Sequence, residues 1–258
     1  MMDSLVNNSG VIRTTGMSAQ GGEIVLEGGG KTLNAGTLDA SSNTGKGGTA
    51  QVLGQLVGVG GSGCSDIIDA SGASGGGTIL VGGDYQGKNP DVQNAQVTYF
   101  GPQALLKADA THNGDGGKVI VWADDTTRTF GAISARGGNQ SGNGGLVETS
   151  AHHLETAGIR VNASAVHGRA GSWLLDPASI LIDGVAYVGD IGSALNGGTS
   201  VELQTSLADG DIIMSTVTLA VTPANDASLT LKANRNIVIS DSSISSSGHK
   251  LGVTLDAH

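Results

Sequence analysis

Short bursts of apolar residues on alternate positions recur along the chain, and each burst follows a pair of small residues. Ile24-Val25-Leu26 follows Gly21-Gly22, and Val119-Ile120-Val121 follows Gly116-Gly117. Alternation with a period of two places Ile24 and Leu26 on one face of a strand and Val25 on the other. The bursts are too short for helices, so the pattern predicts short strands separated by sharp turns.

The paired small residues recur at a nearly constant spacing. Successive copies begin 26, 29, 40, 28 and 26 residues apart, which gives a period of about 27 with one long insertion at about 84–102. The first residues of the copies are Gly21, Gly47, Gly76, Gly116, Gly144 and Ala170. A period of this length is typical of solenoids, in which each repeat buries its apolar face only by stacking on its neighbours.

A second burst lies between the copies and ends in a small residue. Its members are Leu38-Asp39-Ala40, Ile68-Asp69-Ala70, Leu106-Lys107-Ala108, Ile133-Ser134-Ala135 and Val161-Asn162-Ala163. The sequence between bursts lacks helical periodicity, which favours a parallel β-helix over a leucine-rich repeat. We expect glycine to supply the positive φ values that sharp corners need.

The glycine content divides the chain into two parts. Residues 1–172 contain 36 glycines and residues 173–258 contain 8. We interpret 1–172 as Gly-rich coils and 173–258 as continuing coils with a different geometry, truncated at the C-terminus. Strands are predicted in the second part at Val201–Leu203, Ile212–Met214, Ser228–Leu231, Ile237–Ile239 and Leu251–Leu255.

Composition and charge narrow the class of protein. Leu, Ile, Val and Phe form about 24% of the chain, above the roughly 20% below which disorder is the rule. The formal net charge is −10 and no cluster of Lys or Arg occurs, so nucleic acid is not an expected partner. Cys64 is the single cysteine, so an internal disulfide is excluded. We interpret Cys64 as a small apolar residue of the core. The start lacks the features of a signal peptide.

Four segments in order resemble the passenger region of filamentous-haemagglutinin-like adhesins, large bacterial exoproteins of two-partner secretion. They are Gly82–Asn89, Gly114–Ala123, Gly142–Ser150 and Gly171–Pro177. The resemblance implies a right-handed β-helical shaft, Sec-dependent export, and passage through an outer-membrane transporter barrel to the cell surface or medium. The family's amino-terminal secretion domain has no counterpart here, so we expect an interior fragment of a longer rod.

Two sets of side chains raise the question of chemistry. Asp124, Asp125 and Arg128 follow Trp122 at a predicted corner, where an enzyme could place acids and a base, although a solvated turn is the favoured interpretation. His152 and His153 precede His167 by half a coil and suggest a metal, but adjacent strand residues point to opposite faces. No cofactor is expected.

Aromatic residues are the candidates for contact with a ligand. The insertion carries Tyr85, Tyr99 and Phe100, which we predict to form a contact loop on the shaft. Trp173, with Leu174 and Leu175, fits the alternating pattern and is predicted to pack in the core.

Three triplets match the glycosylation pattern, at Asn7, Asn139 and Asn162.

The sequence thus predicts a non-catalytic structural and adhesive shaft segment of a secreted or surface-displayed exoprotein. Its expected partners are the transporter barrel and a receptor or glycan on a host or neighbouring cell. The alternative is a polysaccharide-active β-helix enzyme, and a third interpretation is a Gly-rich scaffold that is not exported.

Overall fold

The computed structural model describes residues 4–15, 21–61, 66–183 and 187–258. These residues form parallel sheets stacked as a β-solenoid of about nine turns. Strands account for about 46% of the chain and helix for about 5%, which confirms the prediction of an all-β parallel β-helix.

The first six coils have three strands each. Their bounds are β1 Leu5–Asn8, β2 Val11–Arg13, β3 Glu23–Glu27, β4 Lys31–Asn34, β5 Thr37–Asp39, β6 Thr49–Leu53, β7 Leu56–Val59, β8 Ile67–Asp69, β9 Thr78–Val81, β10 Val97–Phe100, β11 Leu105–Lys107, β12 Lys118–Trp122, β13 Thr126–Thr129, β14 Ala132–Ser134, β15 Leu146–Ser150, β16 His153–Glu155, β17 Arg160–Asn162 and β18 Ser172–Leu175.

The later coils include a helix. Their elements are β19 Ile180–Ile182, α1 Tyr187–Asn196, β20 Ser200–Gln204, β21 Ile212–Ser215, β22 Thr218–Val221, β23 Ala227–Ala233, β24 Ile237–Ser240, β25 Ser243–Ser246 and β26 Leu251–Ala257. The strands predicted in this part of the sequence all lie within β20, β21, β23, β24 and β26.

Three long parallel sheets enclose the core. Sheet 1 has the order β1-β4-β7-β10-β13-β16, and sheet 2 has the order β17-β14-β11-β8-β5-β2. Sheet 3 has the order β26-β23-β20-β18-β15-β12-β9-β6-β3 and runs through every coil of the described chain. Strands β19, β21 and β24, and strands β22 and β25, form two smaller sheets in the later coils.

Interior positions of sheet 3 stack in register from coil to coil. Ile79 pairs with Val119, Val119 with Val147, and Val147 with Trp173. All four side chains are completely buried. Because no strand could bury its apolar face alone, this ladder supplies the stability that the short bursts lack individually.

The paired glycines are required by the close approach of neighbouring backbones, whereas other glycines supply the positive φ values expected at corners. In successive coils the second glycine donates a hydrogen bond to the carbonyl of the alanine that follows sheet 2; Gly77 to Ala70 (2.8 Å) and Gly117 to Ala108 (2.7 Å) are two examples. A Cβ on Gly117 would overlap the carbonyl oxygen of Gly77 in the preceding coil. None of the paired glycines that the structure describes has a positive φ; Gly75, Gly114 and Gly142, nearby, do.

Buried threonines close the corner between sheets 3 and 1. Thr98 donates to the carbonyl of Trp122 (2.7 Å), and Thr127 donates to the carbonyl of Ser150 (3.0 Å). Both side chains are completely buried. The two hydroxyls donate hydrogen bonds to backbone carbonyl groups at the ends of sheet 3 strands. These carbonyl groups are therefore not left buried without a hydrogen-bond partner.

Helix α1 was not predicted. It takes the place of the middle strand in its coil and packs between β17 and β22, with Ile191, Ala194 and Leu195 buried. Asp190 is also buried, and its Oδ1 accepts a hydrogen bond from the Gly158 amide (3.1 Å). This helix is not long and apolar enough to cross a membrane, and none in the described part of the chain is.

The long insertion leaves the solenoid between β9 and β10. Residues 82–96, which we call the strap, depart after Val81 and return at Val97, which is already in register with Leu56 of the preceding coil. Residues Val97–Phe100 therefore belong to sheet 1, and the excursion is shorter than the 84–102 expected from the sequence.

Candidate functional site

The strap covers a column of outward-facing side chains on sheet 3. Leu80 pairs with Ile120, Ile120 with Glu148, Glu148 with Leu174, and Leu174 with Glu202. The first four side chains are at most 4% exposed although they lie outside the core cluster. A glutamate therefore interrupts an otherwise apolar column beneath the strap.

Hydrogen bonds from the strap reach both buried carboxylates. The backbone amide of Gln86 donates to Glu148 (3.0 and 3.3 Å to the two oxygens), and its side-chain amide lies 3.4 Å from Asp176. Gln204 donates to the same oxygen of Asp176 from the next coil (3.4 Å). The other Asp176 oxygen, Oδ1, is buried and has no hydrogen-bond partner among the described residues.

Burial alters the acidity of both groups. Burial raises the pKa of Glu148 to about 7, against the lowering effect of the Gln86 amide. Burial likewise raises the pKa of Asp176 to about 6. Within the described part of the chain, no Lys, Arg or His nitrogen lies within 4.0 Å of either carboxylate. Burial without a cation is the arrangement that favours the protonated acid.

A separate set of contacts fixes the two ends of the strap. Lys118 pairs with Asp84 (2.7 Å), and Asn94 donates to Asp124 (3.0 Å). The Trp122 indole also donates to Asp124 (3.0 Å). A Cβ on Gly83 or Gly87 would strike the Trp122 ring, so these glycines allow the strap to lie directly on the indole.

Tyr85 is the exposed aromatic side chain at this site, at 40% exposure. Partial burial raises the pKa of its hydroxyl. The negative charges of Glu148, Glu202 and Asp176 raise this pKa further. The exposed part of the ring thus stands on the outer face of the longest sheet, above the covered carboxyl groups, where it is accessible for stacking with a ligand.

The structure separates the three aromatic residues predicted as a contact loop. Tyr99 lies in β10 on sheet 1, 40% exposed, with its ring 6.0 Å from that of Phe130. Phe100 is completely buried in the core, because alternation turns it inward where Tyr99 turns outward. The prediction that Phe100 contacts a ligand is therefore wrong, and Tyr85 alone of the three lies in the strap.

The acids and base predicted at a corner do not converge. Asp124 accepts hydrogen bonds from Asn94 and Trp122 at one end of the strap. Asp125 lies 3.5 Å from His153, and Arg128 pairs with Glu155 (3.2 Å) across exposed neighbouring strands. Each side chain has a separate local partner, which agrees with the interpretation as a solvated turn.

The histidines lie on the surface. The rings of His152 and His153 are in contact, with centroids 4.5 Å apart, because His152 precedes the strand and is free of its alternation. His167 is exposed. No group of three His, Cys, Asp or Glu side chains in the described ranges could hold a metal ion.

The remaining candidates fall into three groups. Trp173 is completely buried, and its indole donates to Thr149 (2.9 Å), which confirms the core prediction. Cys64 lies outside the described residues. Asn7 and Asn139 are exposed, whereas Asn162 accepts hydrogen bonds from Ser164.

Sequence reasoning missed Glu148 and Asp176. A signal was present, because Glu148 occupies the outward position of its burst where the neighbouring coils have Ile120 and Leu174. Recognising it requires knowing that the strap covers this face, and the repeat pattern alone does not place the strap.

The fold defines this chain as a parallel β-helix repeat protein. No protein-family model matches the chain, and no curated protein matches its sequence.

Proposed function

We propose that this chain is a non-catalytic structural and adhesive shaft segment of a secreted or surface-displayed bacterial exoprotein. The observation that carries the proposal is the uninterrupted register of sheet 3 through about nine coils. A stack of this kind spans about 45 Å at the usual strand spacing and is stiff along its axis. Such a rod holds a contact surface away from the cell that anchors it.

The sequence resemblance supports the export route. Its four segments coincide with the corners and strands of coils 3 to 6, including the start of the strap. On this proposal the partners are an outer-membrane transporter barrel and a receptor or glycan on a host or neighbouring cell. Sequencing the reading frames on both sides tests the route, and the absence of both a secretion domain and a transporter gene would contradict it.

Adhesion is tested with beads coated with the purified chain and applied to cultured epithelial cells. We expect binding above that of beads coated with the denatured chain. Tyr85→Ala should reduce binding about tenfold, the effect of removing one aromatic contact. Tyr99→Ala is the matched control, since both rings are 40% exposed but Tyr85 lies in the strap and Tyr99 lies on sheet 1. Equal binding by folded and denatured chains would overturn the adhesive role.

A second candidate is a polysaccharide-active enzyme, which the two buried carboxyl groups favour. Glu148 and Asp176 lie on one face of the longest sheet with pKa values of about 7 and 6. A carboxyl group with a pKa near neutrality can donate a proton to a glycosidic oxygen, and a second one can act as the base. The strap, which covers both groups, would have to move for a substrate to enter.

Turnover distinguishes the two candidates. Polygalacturonate and chondroitin sulfate serve as probes, and new reducing ends are measured after incubation. An enzyme would release them and lose about 10²–10⁴-fold of its rate in Glu148→Gln, as for removal of a general acid. We expect no release by the wild-type chain. Release that Glu148→Gln abolishes would replace the shaft proposal with the enzyme.

A further inference from the structure

The segment Tyr85–Gly87 lies across two carboxyl groups that form no ion pair with any Lys, Arg or His in the part of the chain that the structure describes. Glu148 is completely buried in an apolar column between Ile120 and Leu174, and Asp176 is 5% exposed. A buried carboxylate without a counter-ion costs free energy, whereas a protonated carboxyl group in the same place costs much less. We propose that the strap is a pH-dependent latch, closed while Glu148 and Asp176 carry protons and released over Tyr85–Gly87 when they ionise.

The charged groups around the site lie on the strap and on several strands of sheet 3. The strap contributes Asp84, Tyr85 and Lys88, and sheet 3 contributes further groups at its outer face. Those groups are Lys118 on β12, Glu148 on β15, Asp176 after β18, Glu202 on β20 and Lys232 on β23. The charges of Asp84 and Asp176 oppose ionisation of Glu148, and Lys88 and Lys232 partly favour that of Asp176. Glu148 is therefore the principal group of the latch.

The direction of the pH effect follows from the raised pKa values. Glu148 titrates at about 7 when covered and near its ordinary 4.5 when solvated, so the closed strap binds a proton more tightly than the open one. The stabilisation of the closed form is complete below 4.5 and is lost as the pH rises through about 7. Asp176 acts with the same sign between 3.8 and about 6.

The ends of the strap stay attached during this change. Burial raises the pKa of Asp84, but hydrogen bonds from Lys118, Asn89 and Tyr85 lower it overall, so its ion pair persists across the range. Tyr85 has a raised pKa and remains neutral. Release therefore affects the middle of the strap, and it uncovers Leu80, Ile120 and Leu174 together with the ionised carboxylates.

Trp122 provides the optical test, because the strap lies on its ring and the other tryptophan, Trp173, is completely buried. Acrylamide quenching of the full chain is compared at about pH 5 and pH 8.5, on either side of the expected transition. We expect quenching to rise about twofold at the higher pH, with a midpoint near 7. Trp122→Phe should remove the pH-dependent component.

Two variants separate the latch from other pH effects. Glu148→Gln stays uncharged and should keep quenching low at both pH values. Glu27→Gln is the matched control, a change of the same type at an exposed position of the same sheet, and should respond as wild type does. Exchange of the Gln86 amide, corrected for its intrinsic rate, gives a readout that needs no variant. Quenching and Gln86 exchange that are both independent of pH would overturn the proposal.

The latch is independent of both the shaft function and the enzyme activity. A latch on a chain without adhesion or turnover would still show the quenching transition, and an adhesive chain without a latch would not. Failure of the bead experiment and failure of the quenching experiment are therefore distinguishable.

Discussion

At the scale of single residues, the paired glycines and the buried polar groups carry the specific demands of this fold. From Gly48 onward, the second glycine of each pair lies against a glycine carbonyl group of the preceding coil, so the constraint is steric contact between backbones. Glu148, Thr32 and Thr98 occupy buried positions that other coils fill with apolar residues, and each takes part in a hydrogen bond that explains its presence. The chemistry of the molecule is concentrated at these exceptions to the repeat.

Gly117→Ala should destabilise the chain by about 1–3 kcal/mol, since the added methyl group overlaps the Gly77 carbonyl and forces the coils apart. Gly189→Ala is the control: this glycine lies within α1 with nothing within 4 Å of the added atom. It should stabilise by about 0.5–1 kcal/mol. Denaturant unfolding of both variants measures the difference. Equal effects would show that close approach is not the reason for the glycine pair.

Trp173→Ala should cost about 3–5 kcal/mol, because it empties the largest buried position and removes the hydrogen bond to Thr149. Trp173→Phe should cost less, since it keeps most of the volume and leaves one threonine hydroxyl unpaired. Urea unfolding ranks the two. A Trp173→Ala variant as stable as wild type would contradict core packing at this position.

At the scale of elements, the sequence predicted the strands well and the helix not at all. Alternation of apolar and polar residues shows directly at β20 and β23, because each of these strands has one face in the core. Helix α1 contains two glycines and lies in a coil where the repeat expects a strand. A ten-residue helix of this composition depends on packing against β17 and β22, and local propensity does not reveal such packing.

The candidate site was predicted only in part, for a related reason. Tyr85 followed from the length of the insertion, since a segment longer than the period must leave the coil. Glu148 and Asp176 did not follow, because their burial depends on where the strap returns. The prediction for Phe100 was wrong because adjacent residues of a strand point to opposite faces. Tyr99 therefore points to the surface, and Phe100, one position later, points into the core.

The docking of α1 should depend on pH. Burial raises the pKa of Asp190 to about 6, so the stability it contributes is present below its ordinary 3.8 and is lost as the pH rises through about 6. Asp190→Asn retains an acceptor for the Gly158 amide and should raise the melting temperature more at pH 8 than at pH 4. A gain of the same size at both pH values would exclude ionisation of Asp190 as the cause.

At the scale of the whole molecule, stability should be distributed between neighbouring coils. Each coil of a solenoid contacts mainly the coils on either side, so a local defect weakens its neighbours first. In Gly117→Ala we expect amide protection to fall most in β9, β12 and β15 and least in β23 and β26. Hydrogen exchange with peptide resolution measures this gradient. A uniform loss along the chain would show that all coils unfold as one unit.

The corner between sheets 3 and 1 has a practical consequence for engineering. Fifteen residues leave the solenoid there as the strap, yet Val81 and Val97 stay in register with the coils on both sides. The same corner in another coil, such as the one after Glu27, should accept a foreign peptide of similar length without disturbing the ladders. Each coil would then carry its graft at a fixed height, about 4.8 Å from the next, so the chain could serve as a molecular ruler for displayed epitopes.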